Sequence, residues 1–336
     1  MTIKDIARLA GVTHSTVSRC LNDSPLVSEA TKERVKRIAA ENGYSPNAFA
    51  RRLVTKKSHT LGVFFLSRDE IRLQENFGTQ FLDGIAQESH KRGYDLLFFT
   101  TTSDRTNEKS YMRLCREKHV EGVIFIGMTS DDPHLAEIAV SEIPVCVIDF
   151  PVEGALVSCV TSDNDRGVRQ ALDYLHGLGH RDIGFLSGPA VSPVAMVRED
   201  TYRSWMEERG LSPLARVWEG AFTKESGTLR ARDILDAPHR PTALLVANDL
   251  MALGVLRACR DRGIRVPGDL SLVGYDNAVA GEYADPGLTT VAQNAVAMGA
   301  QAVALLFSTI DGSPSESVVR IDPHLVVRES TGPHRG

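Results

Sequence analysis

Gly11 stands between two short runs of helical periodicity, and this arrangement constrains the start of the 336-residue chain more tightly than any other feature. Ile3, Ile6, Ala7 and Ala10 recur at helical spacing and predict one buried face. Gly11 can take the positive φ of a tight turn between helices. Thr13 is placed to cap a second helix, with Val17 and Leu21 as its inner stripe. The spacing therefore predicts a helix-turn-helix. His14, Ser15, Ser18 and Arg19 are left outside on the second helix. Such short polar and cationic side chains can reach base edges and phosphates in a major groove. A third helix is predicted over Glu29 to Asn42, with Ser28 as its cap, Val35, Ile38 and Ala39 inside, and Gly43 as its stop.

Charge divides the chain at about the same place. Residues 1–57 carry 11 Lys and Arg against 5 Asp and Glu, whereas residues 58–336 carry 27 against 38. The net value of −5 thus hides a basic head on an acidic body. A basic head is the electrostatic footprint of phosphate binding. Between the two lies Tyr44-Ser45-Pro46-Asn47-Ala48-Phe49-Ala50-Arg51-Arg52-Leu53-Val54-Thr55-Lys56-Lys57. Pro46 suits the first turn of a short helix. At about two turns that helix is too short to stand alone in water. Its Arg and Lys would keep it disordered until phosphates neutralise them and a partner helix packs against it. The expected division is a headpiece over 1–45, a hinge over 46–57 and a core over 58–336.

The core alternates short apolar runs with helical stretches. Leu61–Leu66, Tyr94–Phe99, Gly122–Ile126, Val145–Ile148, Ile183–Leu186, Ala243–Val246 and Leu270–Val273 read as strands. Helices are expected near Phe77–Arg92, Asn107–Lys118, Pro133–Ser141 and Asp165–Leu178. This alternation predicts parallel sheets covered on both faces, in an α/β core of two Rossmann-like lobes behind an all-α N-terminal domain. Cys20, Cys115, Cys146, Cys159 and Cys259 are scattered, without Cys-x-x-Cys or zinc spacing, and read as buried thiols of a reducing cytoplasm. No apolar run approaches a membrane span, and the acidic, periodic N-terminus is not a secretory signal. No metal or cofactor is expected.

Polar residues that end apolar strands are the candidate ligand groups, because the strand ends of α/β lobes converge on a cleft. Asp149, Asn248 and Asp276 occupy such ends and could chelate the hydroxyls of a polyol; each could instead cap the helix that follows. For Asp249 the capping role is expected. Phe222 is either a core residue or an aromatic platform. Phe77 opens the first core helix and can line the cleft. Arg198 could grip a hydroxyl pair or a carboxylate.

The run Ile-Ala-x-x-Ala-Gly-Val-Thr-x-x-Thr-Val-Ser-Arg and the hinge Tyr-Ser-Pro-Asn-Ala-x-Ala-Arg-x-Leu resemble the LacI/GalR family of transcriptional regulators. So do Leu178-Gly179-His180-Arg181-x-Ile183, Ala247-Asn248-Asp249-x-x-Ala252-x-Gly254, Gly274-Tyr275-Asp276-Asn277 and Pro286-x-Leu288-Thr289-Thr290-Val291. The resemblance covers nearly the whole chain. It implies a periplasmic-binding-protein-like core crossed three times by the chain, near Thr161–Asn164, Leu288–Gln293 and Ile321–Leu325. It implies base reading by His14, Ser15 and Arg19, with Thr13, Thr16, Ser18 and Asn22 beside them and Asn47, Ala50 and Arg51 in the hinge. Leu53 would wedge into the minor groove. It assigns effector contacts to Asn248, Asp276 and Arg198, with Phe222 as platform. Thr201, where the family usually has Gly, and the charged stretch 67–75 depart from the pattern. No leucine heptad follows the core, so a homodimer on a palindromic operator is expected. The effector is expected to be a sugar or a sugar derivative, with a purine corepressor as the alternative.

Other classes fit less well. A transport-type binding protein would carry a secretion signal and no basic head. An enzyme would need a site, and there is no Gly-x-Gly-x-x-Gly after a strand, no P-loop, no Gly-x-Ser-x-Gly and no metal cluster. His180, in its turn motif, reads as structural.

Overall fold

The computed structural model describes the chain except for residues 22, 45–56, 67–77, 101–109, 314–316 and 335–336. Its contacts divide it into two units, Met1–Ser58 and His59–Gly336. Among the described residues the first unit holds helices α1 (Ile3–Ala10), α2 (His14–Leu21) and α3 (Glu29–Glu41). Thr2 and Asp5 form a reciprocal capping box at the start of α1, and Gly11 closes it at φ 63°. Ile6, Ala7, Ala10, Val17, Cys20, Val35 and Ala39 make the core, with Ile3, Leu21 and Ile38 packed around it. Ser28 occupies the N-cap position of α3 but makes no side-chain bond to the helix backbone. Its hydroxyl meets that of Thr31 at 2.9 Å instead, so the expected cap bond is absent.

The second unit contains two six-stranded sheets. In the first, β1 (Thr60–Phe65), β2 (Asp95–Thr100), β3 (Gly122–Ile126), β4 (Val145–Ile148), β5 (Val157–Ser162) and β11 (Val318–Ile321) take the order β11-β5-β4-β3-β1-β2, all parallel. In the second, β6 (Ile183–Ser187), β7 (Arg216–Glu219), β8 (Ala243–Val246), β9 (Ser271–Asp276), β10 (Thr289–Ala292) and β12 (His324–Val326) take the order β12-β10-β9-β8-β6-β7. Among the described residues only β12 runs antiparallel in that sheet, against β10. The interior strands β3, β4 and β8 are buried on both faces, which is why they read as unbroken apolar runs.

The first sheet is covered by α4 (Thr79–Lys91), α5 (Tyr111–Lys118), α6 (Leu135–Ala139) and α12 (Ala295–Ile310). The second is covered by α7 (Asn164–Gly177), α8 (Pro193–Glu208), α9 (Lys224–Leu235) and α10 (Asp249–Asp261), with the short α11 (Val279–Glu282) beside it. The chain passes between lobes after β5, after β10 and between β11 and β12, at the three expected places. Thr201 fits inside α8, where its hydroxyl bonds the Val197 carbonyl at 2.8 Å. Three segments start or stop differently from expectation. α4 begins at Thr79 and α5 at Tyr111, and Asp276 is the last residue of β9 rather than the first residue beyond it. His180 is buried, with Nδ1 on the Thr242 hydroxyl at 2.9 Å and Nε2 3.0 Å from the Gly332 carbonyl. It ties the tail to the second lobe, a structural task.

Candidate functional site

On the head, the Thr13 hydroxyl accepts from the Thr16 backbone N–H at 3.2 Å and meets the Ser15 and Thr16 hydroxyls at 2.8 and 2.9 Å. Thr13 is thereby the cap that the sequence predicts for α2. Burial of Val17 and Cys20 turns the opposite side of α2 outward. Thr13, His14, Ser15 and Arg19 are exposed, and Thr16 and Ser18 are half-buried at the edge of that face. An exposed helix face with hydroxyls, an imidazole and a guanidinium can donate to and accept from base edges. Asn22, Asn47, Ala50, Arg51 and Leu53 lie outside the described residues.

In the second unit, strand ends carry the other candidates. Asp149 follows β4 at φ 65°, Asp276 ends β9 at φ 116°, and Phe222 sits in the loop after β7 at φ 59°. Left-handed backbone at three non-glycine residues is costly, and such residues cluster where side chains must be aimed. Arg198, on α8, is 2% exposed. Its Nε donates to Asn164 Oδ1 at 2.7 Å and an Nη to the Ala247 carbonyl at 2.5 Å. The guanidinium carbon lies over the Tyr275 ring, 3.7 Å from its centre, a cation–π contact. Asp276 accepts from Gln293 Nε2 at 2.6 Å. Gln293 Oε1 is buried with no hydrogen-bond partner among the described residues. A buried acceptor left empty calls for a donor from a ligand or water. Phe77 lies outside the described residues.

The capping role expected of Asp249 falls to its neighbour. Asn248, not Asp249, is the N-cap of α10: its Oδ1 accepts from the Met251 N–H at 3.0 Å. Its Nδ2 donates to the Phe222 carbonyl at 3.0 Å, so the amide braces the loop that carries Phe222. Asp249 is fully buried and accepts from the Ala278 N–H and the Thr290 hydroxyl, both at 2.7 Å. It pins the end of β9 to β10. Phe222 packs partly against the second-lobe core, and its ring covers Gly188, where any side chain would strike it.

The electrostatics are dominated by carboxylates out of water. Burial pushes Asp276 well above the usual carboxylate range; Arg198 and Gln293 pull it down, while Asp249 and Asp149 push it up. Half-buried Asp149 is raised by desolvation too, opposed by Arg198 and by the Thr161 hydroxyl, which donates to Asp149 Oδ1 at 2.8 Å. Burial lifts Asp249 to about 7, against the hydrogen bonds from Thr290 and Ala278. Folding therefore favours the protonated acid. The stability this contributes is complete below about pH 4 and is lost as pH rises to about 7. In protein labelled with ¹³C at aspartate carboxyls, the Asp249 carbon should titrate near neutrality; a midpoint near 4 would contradict the burial argument.

Residues 2–47 match the bacterial regulatory proteins of the lacI family, and residues 172–331 match the periplasmic binding protein-like domain. The repressor PurR of Vibrio campbellii is 33% identical over 335 residues, with 98% of each chain covered. The chain belongs to the lacI family of bacterial regulatory proteins. Among solved lacI-family structures, the lac repressor dimer bound to operator and the anti-inducer ONPF is 29% identical, covers 99% of both chains and has a TM-score of 0.85. The CelR–cellobiose complex is 32% identical, covers 98% of this chain and 99% of that one, and has a TM-score of 0.73. The lacI-family fold expected from the head, hinge and core motifs is thus the fold present. Gln293, Asn164 and Tyr275 join the cleft cluster without having been singled out as site residues by the sequence. Gln293 and Asn164 are amides at crossover points, and no local spacing marks them.

Proposed function

We propose that this chain is a ligand-responsive transcriptional repressor that binds a two-fold-symmetric operator as a homodimer and carries no catalytic activity. In this reading residues 1–45 form the headpiece, 46–57 the hinge and 58–336 the effector core. The exposed face of α2 reads bases through His14, Ser15 and Arg19, and Leu53 acts as the minor-groove wedge. Arg19→Ala is expected to weaken operator binding by roughly 5- to 150-fold, the 1–3 kcal/mol of a lost bidentate base contact. Equal affinity for the operator in an anisotropy titration would remove Arg19 from the readout.

The observation that carries the effector reading is the meeting of Asp276, the open Gln293 Oε1 and Arg198 at the strand ends of the core. Asp149 approaches the same group, since its charge and that of Asp276 act on each other and on Arg198. Acid and amide acceptors beside an aromatic ring suit a neutral polyhydroxyl ligand, and CelR, at 32% identity, is known as a cellobiose complex. A purine corepressor is the second reading, favoured by the likeness to PurR. Effector binding would change operator affinity through a coupling of about 1–3 kcal/mol. The test is the thermal stability of the full chain with cellobiose, lactose, glucose, gluconate, glucose 6-phosphate and hypoxanthine. A ligand at 100 times its Kd should stabilise the core by about 2.7 kcal/mol. A shift with sugars alone supports the first reading, with hypoxanthine alone the second. No shift at all counts against a cleft effector of either class.

A further inference from the structure

We infer that Asn164 is a positioning residue that fastens the Arg198 guanidinium of the second lobe to the crossover strand of the first, so that lobe angle and arginine placement move together. Asn164 is 5% exposed and opens α7 immediately after the first crossover. Its amide is used in both senses. Oδ1 accepts from Arg198 Nε at 2.7 Å, and Nδ2 donates to the Ser162 carbonyl at 3.0 Å and lies 3.5 Å from the Thr161 hydroxyl. Thr161 donates onward to Asp149 Oδ1 at 2.8 Å. A continuous polar path therefore runs from Asp149 at the end of β4 to Arg198, and through Arg198 to the Ala247 carbonyl at the end of β8. Asp149, Thr161 and Ser162 belong to the first lobe; Arg198 and Ala247 belong to the second.

The Asn164 side chain is not spent on the helix it opens. Asp163 caps α7, accepting from the Arg166 N–H at 3.1 Å. The Tyr275 ring supports the guanidinium from one side, and Asn164 holds its Nε by a hydrogen bond. A buried hydrogen bond to a charged group strengthens as the dielectric falls, and a guanidinium holds its geometry only if its acceptors do. The amide offers an acceptor to Arg198 and a donor to a backbone carbonyl on two separate atoms, so both contacts are made at once. Aspartate keeps the first contact and loses the second; alanine loses both. The functional consequence rests on the reading of Arg198 as an effector contact, but the tie itself can be observed with neither effector nor DNA.

Two N–H groups report on it by solvent exchange in the ¹⁵N-labelled full chain. One is Arg198 Nε–H, identified by its disappearance in Arg198→Lys. The other is the Ser130 amide, which donates to the Val191 carbonyl at 3.0 Å across the lips of the two lobes. In Asn164→Ala, Arg198 Nε–H and Ser130 N–H should each exchange tenfold faster or more, while the Ile124 amide inside β3 keeps its protection. In Asn164→Asp, Arg198 Nε–H should stay protected while Ser130 still exchanges faster. That split between the two reporters is what a merely structural asparagine would not produce. Unchanged Arg198 exchange in the alanine variant, or unchanged Ser130 exchange in the aspartate variant, overturns the proposal. If Asn164→Ala does not fold, the aspartate variant decides by itself. Failure of the effector reading would instead show as no thermal shift with any of the six compounds while the exchange pattern holds.

Discussion

Gly84→Ala should lower the melting temperature of the chain by roughly 4–5 °C, whereas Gly177→Ala should leave it within a degree or raise it. The two substitutions add the same methyl group. Gly84 lies in the middle of α4, where a Cβ would collide with the Val296 carbonyl and stand 2.7 Å from the Ala300 nitrogen of α12. Gly299 of α12 meets the Phe81 carbonyl of α4 in the same way. The helices touch backbone to backbone, and α12 is clamped from the other side by the first-lobe core through Met298, Ala302, Val303 and Leu306. Backbone atoms cannot rotate aside as a side chain can, so the helices must part. Overpacking of this kind costs about 3 kcal/mol, at the upper end of the usual range. For a chain of this size each kcal/mol moves the melting point by roughly 1.5 °C. Gly177, at the end of α7, has no atom within 4 Å of the added carbon and no positive φ. There alanine narrows the unfolded ensemble and stabilises by about 0.4–1 kcal/mol. Equal melting points for the two variants, read by circular dichroism, would mean that the α4–α12 contact is not a close backbone contact.

Asp276→Asn should abolish most of the effector response while leaving the effector-free protein as stable as before and as able to bind DNA. The substitution keeps the shape of a side chain that is 7% exposed and held by Gln293. It removes a carboxylate that burial already disfavours in its charged form, so folding loses nothing by it. The amide keeps one acceptor oxygen but puts an NH2 donor in place of the other, so an effector hydroxyl or N–H that donates to that oxygen meets a donor instead. A buried polar group left unsatisfied costs about 1–3 kcal/mol, so effector affinity should fall roughly 5- to 150-fold. Isothermal titration with the compound that stabilises the wild-type chain measures it. An unchanged Kd would take Asp276 out of the site and leave Arg198 and Gln293 to carry it.

The parts that could be read from residues alone share a physical cause. β3, β4 and β8 are buried on both faces, so their apolar runs stand out without any periodicity. Buried β5 and β10 were missed because Ser and Thr interrupt their apolar residues. β7, β11 and β12 gave no such signal either. Each contains charged or half-exposed residues, such as Arg216, Glu219, Arg320 and His324, because each is a sheet edge that solvent reaches. Asp149 and Asp276 were legible as polar residues closing apolar strands. The division of labour between Asn248 and Asp249 was not, because both types cap helices well and only the packing of β10 against Asp249 separates them. Asn164 and Gln293 were invisible as site residues for a related reason. They act at crossovers, where two lobes distant in sequence meet, and their partners Arg198 and Asp276 lie 34 and 17 positions away.

The central claim, that a basic helix-turn-helix head makes this chain a sequence-specific DNA-binding regulator, is tested most directly by selection of duplexes from a random-sequence library with the full-length protein. The account predicts enrichment of one two-fold-symmetric site, as two identical heads require. It also predicts that the same selection with Arg19→Ala relaxes the symmetric half-sites together. Recovery of duplexes with no shared sequence, or of a site without two-fold symmetry, would contradict it.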